Sequence, residues 1–286
     1  MLLFQIHSVR YSFSIGDKQI MSDKPIAVMD SGVGGLACLL AIRKTMPSEN
    51  IIYFGDTAHM PYGTKTVEEL ESCAGKIVDY LKERGVKMIV LACGTMSSTI
   101  IPFLYEKYPE ILIQGVVDPL VAAVSRACEE GDKVGVIATP RSIESGSYKA
   151  SFERLRKKLD VYYKGCPDLS VYIEKGITDG PEMEALLKSY LDKLVYEDHI
   201  KVLALGCTHY PLASECMKRL YPDLVLVGPE AALAGNAYSL LSVHEMDNDS
   251  DDDGWLEILA SKKTEGFESM ARMLGLEDYP VKEVVL

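Results

Sequence analysis

Residues 26–35 read Ile-Ala-Val-Met-Asp-Ser-Gly-Val-Gly-Gly, and this stretch indicates the fold class. Four apolar residues lead into an acid, a hydroxyl and several glycines, as when a buried strand passes into a loop ahead of a helix. Similar apolar runs occur at Ile26–Asp30, Ile51–Gly55, Met88–Cys93, Ile111–Val116, Lys133–Thr139, Val202–Cys207 and Leu224–Gly228. Runs this apolar are typical of parallel strands that are covered on both faces.

Several segments between these runs carry apolar residues at spacings of three and four, which predicts amphipathic helices. We expect such helices at Val67–Arg84, Ser142–Leu159 and Glu182–Asp198. The alternation of strand and helix predicts an α/β fold with mainly parallel sheets flanked by helices.

Two pairs of segments resemble each other in pattern. Residues 28–32 and 136–140 both pass from a strand into a loop, and residues 91–95 and 205–209 both place a cysteine at the end of a strand. This duplication predicts two similar domains with an active site in the interdomain cleft, because open α/β sheets bind ligands at the carboxyl ends of their strands. The expected boundaries are 24–115 plus 228–286 for the first domain, 116–227 for the second, and 1–23 for a peripheral N-terminal extension.

Composition and charge exclude several classes of function. The chain has 286 residues, 48% of them hydrophobic, and its 42 acidic and 30 basic side chains give a net charge of −12. This sign argues against nucleic acid or an anionic membrane as the main ligand. No apolar run approaches the roughly 18 residues that span a bilayer, so we predict no membrane segment. Residues 245–253 concentrate six of the acids and predict a mobile, solvated loop.

The cysteine pattern predicts a reducing, cytoplasmic environment. Seven scattered cysteines do not form a disulfide framework in a chain of this length. Four of them lie in helical patterns and are expected to be small buried apolar residues: Cys38, Cys73, Cys128 and Cys216. Cys93 and Cys207 instead follow strands, where the N–H groups of a helix, and His209 beside Cys207, are expected to lower the pKa of a thiol.

Other chemistries are disfavoured by spacing. Zinc ligation by Cys93, Cys207, His209 and His59 lacks a Cys-x-x-Cys motif, so we predict no metal. A Cys207–His209 hydrolase lacks an orienting third group, and a redox dithiol needs its sulfurs within bonding distance. The loop at residues 30–35 lacks the Lys-Ser/Thr of a phosphate-binding loop, and the calcium-like run from Asp249 has Ala260 where a bidentate Glu belongs.

Two matched thiols on opposite walls of a cleft suit one reaction, the inversion of a carbon stereocentre. One base must remove a proton from one face of the carbon while an acid delivers a proton to the other face. Each group is the base in one direction and the acid in the reverse direction. A duplicated half supplies such a matched pair.

From about Ile26 to Leu286 the chain resembles the glutamate racemases of the cofactor-independent aspartate/glutamate racemase superfamily. The motifs that carry the resemblance are Asp30-Ser31-Gly32-Val33-Gly34-Gly35, Phe54-Gly55-Asp56, Pro61-Tyr62-Gly63, Gly206-Cys207-Thr208-His209-Tyr210-Pro211, and Cys166-Pro167 with Glu174. The resemblance implies conversion of L- to D-glutamate for peptidoglycan, with glutamate as a small-molecule substrate and no cofactor.

The resemblance also implies roles for individual residues. Cys93 and Cys207 would be the acid/base pair, with Asp30 assisting the first, and Glu174 and His209 assisting the second. The substrate-binding residues would be Asp30, Ser31, Pro61, Tyr62, Gly63, Cys93, Gly94, Thr95, Cys207, Thr208 and His209. Within this set, residues 31 and 61–63 would receive the side-chain carboxylate, and Thr95 and Thr208 would hold the head group.

One position departs from the family pattern, since Gly94 stands where the family usually has Asn between the first cysteine and the threonine. We expect the neighbouring Met96 to fill the space that the missing amide leaves. Two other functions stay open, a racemase for aspartate or another amino acid, and a racemase-like protein that binds a partner. The oligomeric state also stays open, with a homodimer as one arrangement.

Overall fold

The computed structural model describes residues 21–286, so residues 1–20 of the expected N-terminal extension lie outside the described residues. The strands are β1 (Ile26–Asp30), β2 (Ile51–Gly55), β3 (Met88–Leu91), β4 (Leu112–Gly115), β5 (Lys133–Ala138), β6 (Asp160–Gly165), β7 (Val202–Leu205), β8 (Val225–Val227), β9 (Leu256–Ala260) and β10 (Val281–Glu283).

The helices lie between these strands in chain order. They are α1 (Gly35–Thr45), α2 (Val67–Glu83), α3 (Gly94–Thr99), α4 (Ile101–Lys107), α5 (Val117–Ala127), α6 (Pro140–Glu144), α7 (Ser147–Glu153), α8 (Leu169–Glu174), α9 (Pro181–Asp192), α10 (Ser214–Leu220), α11 (Glu230–Val243) and α12 (Glu265–Met273). Short 3₁₀ turns occupy Tyr62–Thr64 and Tyr210–Ala213, and a π-helical turn, Lys193–Glu197, extends α9.

The strands form two sheets. One has the order β10-β9-β2-β1-β3-β4 and the other the order β6-β5-β7-β8. Every strand pair among the described residues is parallel. The predicted α/β fold is therefore confirmed. The chain enters the second sheet after β4 and returns to the first after β8, with β9 pairing beside β2 from Ile51↔Leu256 onwards.

Both sheets are covered by apolar side chains. Every residue of β1 and β2 is buried. Helices α1, α11 and α12 cover one face of the first sheet, with Leu39, Leu233 and Phe267 in the packed cluster. Helix α2 covers the other face. Burial of each large side chain stabilises the fold by roughly 1.5–3 kcal/mol. Helix α11 contacts both α1 and α5, so it connects the layers around the two sheets.

The prediction of one helix over residues 142–159 is wrong. Gly146 adopts a left-handed conformation, with φ of +73°, and separates α6 from α7. Residues from Asp160 onward then form β6, an edge strand that was not predicted because charged residues interrupt its apolar pattern. The helix expected at residues 182–198 is α9, which ends at Asp192 before the π-helical turn.

The acidic stretch at residues 245–253 forms a loop, as expected, and the side chains of residues 251–253 are exposed. Its backbone is nevertheless attached to the turn before β2. The Asn248 N–H donates to Glu49 Oε1 at 2.8 Å, and Ser48 Oγ donates to the Ser250 carbonyl at 2.6 Å. Ala260, the twelfth residue from Asp249, is the buried last residue of strand β9, so this segment forms a strand where a calcium-binding loop would lead into a helix.

No helix within residues 21–286 is long and apolar enough to cross a membrane.

Candidate active site

A cavity of about 240 Å³ lies between the carboxyl ends of the two sheets. It is lined by Ser31, Met60, Pro61, Tyr62, Gly63, Cys93, Gly94, Thr95, Thr139, Ser170, Val171, Glu174, Cys207, Thr208 and His209. Among the residues expected at the site, only Asp30 is not part of this lining. A site assembled from two sheets at their strand ends is the arrangement that α/β folds use for ligands.

The two cysteines occupy equivalent places in the two sheets. Cys93 lies two residues after β3 and directly precedes α3, while Cys207 lies two residues after β7. Both are buried, with 4% and 8% of their surface exposed. The structure therefore brings together, in one cavity, two thiols that are 114 residues apart in sequence.

The pKa of Cys93 differs from the expected one. Burial raises the pKa of this thiol to about 12, and the negative charge of Asp30 contributes to the increase. The Met96 N–H and the Ser31 hydroxyl act in the opposite direction but are weaker. Cys93 Sγ lies 3.9 Å from Ser31 Oγ, to which the thiol donates. The expectation of a lowered pKa was wrong for this cysteine because desolvation outweighs the helix N–H groups.

Cys207 has a basic neighbour that is held by an acid. His209 Nδ1 lies 3.6 Å from Cys207 Sγ, and its Nε2 hydrogen-bonds Glu174 Oε1. Burial lowers the pKa of His209, but the hydrogen bonds to Cys207 and Glu174 outweigh burial and raise that pKa well above its usual value. A protonated imidazole at this position stabilises negative charge on the Cys207 sulfur.

Asp30 lies behind the cavity wall. It is 1% exposed, and its carboxylate accepts the Gly32 N–H at 2.9 Å and the Thr208 hydroxyl at 3.0 Å. Burial raises the pKa of Asp30 despite these hydrogen bonds and the nearby His209. The carboxylate therefore joins the loop after β1 to the loop after β7.

The glycine-rich loop after β1 is explained by close packing. A Cβ atom on Gly34 would lie 2.6 Å from Thr208 Oγ1 and 2.7 Å from His209 Nδ1. No side chain fits at that distance, so this glycine allows the loops of the two sheets to meet.

Two polar links support the cavity walls. Thr95 Oγ1 lies 3.0 Å from Thr139 Oγ1, which in turn lies 2.9 Å from Ser142 Oγ. On the other side, the buried Tyr62 hydroxyl donates to Asp56. Thr139 thus connects a wall of the first sheet to the loop that follows β5.

Sequence reasoning missed four of the lining residues: Met60, Thr139, Ser170 and Val171. The pairing of residues 28–32 with 136–140 could have identified Thr139, because it aligns with Ser31. Ser170 and Val171 lie on the short helix α8, where the family resemblance had pointed only to Glu174. His59, considered above as a zinc ligand with the two thiols, hydrogen-bonds Asp56 outside this cavity.

Comparison with known proteins defines the class. The Asp/Glu/Hydantoin racemase family matches residues 35–235. A glutamate racemase from Carboxydothermus hydrogenoformans is 38% identical over 221 residues, which cover 77% of this chain and 81% of that protein.

Two solved structures show the same similarity in three dimensions. Glutamate racemase from Francisella tularensis, in complex with D-glutamate, matches with a TM-score of 0.83 at 30% identity. The match covers 92% of this chain and 98% of that chain. The isoform RacE1 from Bacillus anthracis has a TM-score of 0.86 at 31% identity, with coverages of 93% and 98%.

The chain therefore belongs to the Asp/Glu/Hydantoin racemase family. It is an isomerase of the amino-acid racemase type, and its similar relatives include several glutamate racemases.

Proposed function

We propose that this protein interconverts L- and D-glutamate, without a cofactor, by proton transfer through Cys93 and Cys207. The observation that carries the proposal is the placement of both buried thiols in one cavity, each two residues beyond a strand of a different sheet. Relatives named glutamate racemases, one of them solved with D-glutamate, support glutamate as the substrate.

Inversion requires two groups on opposite faces of the α-carbon. One sulfur takes the α-proton as a thiolate and becomes a thiol, while the other gives its proton to the opposite face and becomes a thiolate. No atom is gained or lost, and the two sulfurs exchange roles in the reverse direction.

The surroundings of the two thiols differ, which suits them to different roles. Cys93, with its raised pKa, holds its proton near neutral pH and is poised to donate it. Cys207 faces an imidazole that Glu174 keeps positive, and this charge attracts the negative charge that the Cys207 sulfur carries when it acts as the base. In this proposal Glu174 and His209 assist Cys207, whereas Asp30 acts by positioning Thr208.

Recognition of the substrate follows from the remaining polar groups. Hydroxyls and loop N–H groups bind carboxylates well in a water-poor cavity. We assign the side-chain carboxylate to Ser31 and the Pro61-Tyr62-Gly63 turn, and the head group to Thr95 and Thr208. Gly94 contributes backbone only.

The proposal extends to architecture and cellular role. The strands of each proposed domain belong to one sheet, which supports domains at 24–115 plus 228–286 and at 116–227. The free cysteines, most of them buried, support a reducing cytoplasm as the location. The product would be the D-glutamate used in peptidoglycan.

Circular dichroism of L- and D-glutamate, incubated separately with the purified protein, tests the proposal. Both solutions should approach zero ellipticity, and in D₂O the α-proton should be replaced by deuterium. Parallel incubations with L- and D-aspartate test the other substrate. Turnover of aspartate alone would refute glutamate specificity, and no turnover of any amino acid would refute the enzymatic proposal.

A further inference from the structure

A second cavity, of about 440 Å³, lies outside the cleft and contains a group of three different metal-binding side chains. Asp56, His59 and Cys73 line it, and one ligand atom from each lies within 4.8 Å of the other two. Asp56 follows β2, and Cys73 is on α2. Asp56 is 1% exposed, whereas 44% of the His59 side chain is exposed. A solvated metal ion therefore has access to a largely buried carboxylate.

We propose that Asp56, His59 and Cys73 bind a zinc-type divalent cation that regulates the neighbouring active-site cavity. The sequence-based prediction of no metal considered His59 only together with Cys93, Cys207 and His209, and Cys73, 14 residues after His59, was expected to be a buried apolar residue.

The donor set fits zinc by type and by spacing. Carboxylate oxygen, imidazole nitrogen and thiolate sulfur are its usual ligands, at roughly 2.0–2.3 Å. Two such ligands on a tetrahedral ion lie about 3.3 Å apart. His59 Nδ1 and Asp56 Oδ1 are 2.8 Å apart, so the two side chains need to move only slightly apart before both can bind the ion.

Charge and protons balance on binding. The ion displaces the proton that His59 Nδ1 shares with Asp56, and His59 stays neutral by taking up a proton from solvent at Nε2, while the Cys73 thiol releases its own proton to solvent. The carboxylate and the thiolate then neutralise the two positive charges. Water fills the fourth position, as is usual for zinc with three protein ligands.

Other charges around the cavity oppose or support binding. Lys65 and Lys76 line it and repel a cation, while Glu68 and Glu69 line it and attract one. Glu69 also caps α2 through Thr66, so it is not free to act as a ligand. We therefore expect reversible binding, weaker than in a closed structural zinc site.

A hydrogen bond links this site to the cleft. The Tyr62 hydroxyl donates to the Asp56 carboxylate, and Tyr62 lines the active-site cavity. A metal ion withdraws charge from the carboxylate and weakens it as an acceptor, so Tyr62 and the adjoining Gly63 lose part of their support. Zinc should therefore inhibit turnover, an effect that rests on the proposed function, whereas binding itself does not.

The described residues contain a second group of this kind, which serves as a control. Asp179, Glu184 and Cys216 also place one ligand atom each within 4.8 Å. The Arg219 guanidinium already pairs with both acids and lies 3.5 Å from Cys216 Sγ. An internal cation thus occupies this group, and Cys216→Ser is the matched control for Cys73→Ser.

Calorimetric titration with zinc tests binding directly. The full chain should carry Cys93→Ala and Cys207→Ala, so that the cleft thiols cannot bind the ion. We expect about one zinc per chain in this background and with added Cys216→Ser, but at least tenfold weaker binding with added Cys73→Ser. Equal affinity in the two added variants would overturn the site.

Two further measurements distinguish loss of the metal site from misfolding of a variant and from failure of the proposed function. With Co²⁺ as the probe, thiolate ligation gives a near-ultraviolet charge-transfer band, which Cys73→Ser should remove and Cys216→Ser should keep. In chains with intact cleft thiols, zinc should inhibit the Cys216→Ser variant more than Cys73→Ser. Equal inhibition would overturn the regulatory role, and a protein without racemase activity would still show the binding difference.

Discussion

Gly94 and Gly206 face each other across the cleft so closely that a Cβ atom on Gly94 would lie 2.3 Å from the Gly206 carbonyl oxygen. Each glycine is the immediate neighbour of one of the two cysteines. Met96, expected to fill the space beside Gly94, is instead fully buried in the core of the first sheet. The backbone of the opposite wall, and not Met96, therefore excludes a side chain at position 94.

The first prediction concerns this contact. Gly94→Ala should lower kcat/KM, because forcing a methyl group against a backbone carbonyl costs about 1–3 kcal/mol, or roughly 5–150-fold. Gly94→Asn should be at least as impaired, and adding Met96→Ala should not rescue it. Gly235→Ala is the matched control, since no atom beyond its chain neighbours and its own helix backbone lies within 4 Å of a Cβ there. A gain of activity in Gly94→Asn would contradict this account.

A second prediction concerns the thiols. Cys93→Ser and Cys207→Ser should each reduce racemisation by roughly 10²–10⁴-fold, the usual contribution of a general acid or base. Cys128→Ser removes a buried thiol elsewhere in the described chain and should leave steady-state kinetics nearly unchanged. Substantial turnover in either cleft variant would show that inversion does not need two sulfurs.

The third prediction concerns pH. Because the pKa of His209 is raised in the folded protein, its pairing with Glu174 stabilises the fold below about pH 6.5, the unfolded value. This stability is lost as the pH rises through the folded pKa. Glu174→Gln should lower Tm on the order of 5 °C at pH 6 and by less at pH 9. The exposed Glu182→Gln should show no such trend, and an equal loss at both pH values would contradict the linkage.

A fourth prediction concerns Thr139, which sequence reasoning missed. Thr139→Val keeps the volume but removes the hydroxyl that links Thr95 to Ser142. Leaving these buried hydroxyls without that partner costs about 1–1.5 kcal/mol, so kcat/KM should fall roughly tenfold. Thr45→Val, on an exposed part of α1, should have no effect. Unchanged kinetics in Thr139→Val would mean that the residue only lines the wall.

The features of the fold and of the site that could be predicted from the sequence are those whose pattern lies within a short stretch of it. The strand β1 with the loop after it, and Cys207 with His209, were identified because their patterns lie within ten residues. The strand β9 was missed because Glu257 interrupts its short apolar run, and its pairing with β2 across 205 residues leaves no local trace. The pKa of Cys93 was expected in the wrong direction for a similar reason, since the depth of burial depends on the whole fold.

The pairing of β2 with β9 also has a consequence for biosynthesis. While the ribosome makes residues up to the end of β4, the β2 edge that β9 will cover has no partner, and every residue of β2 is apolar or glycine. The start of β9 emerges 141 residues later, which takes roughly 7–28 s at typical rates of elongation. An unpaired apolar edge invites association with other nascent chains. In the cell, β2 is therefore a segment that a chaperone bound during translation would protect from association.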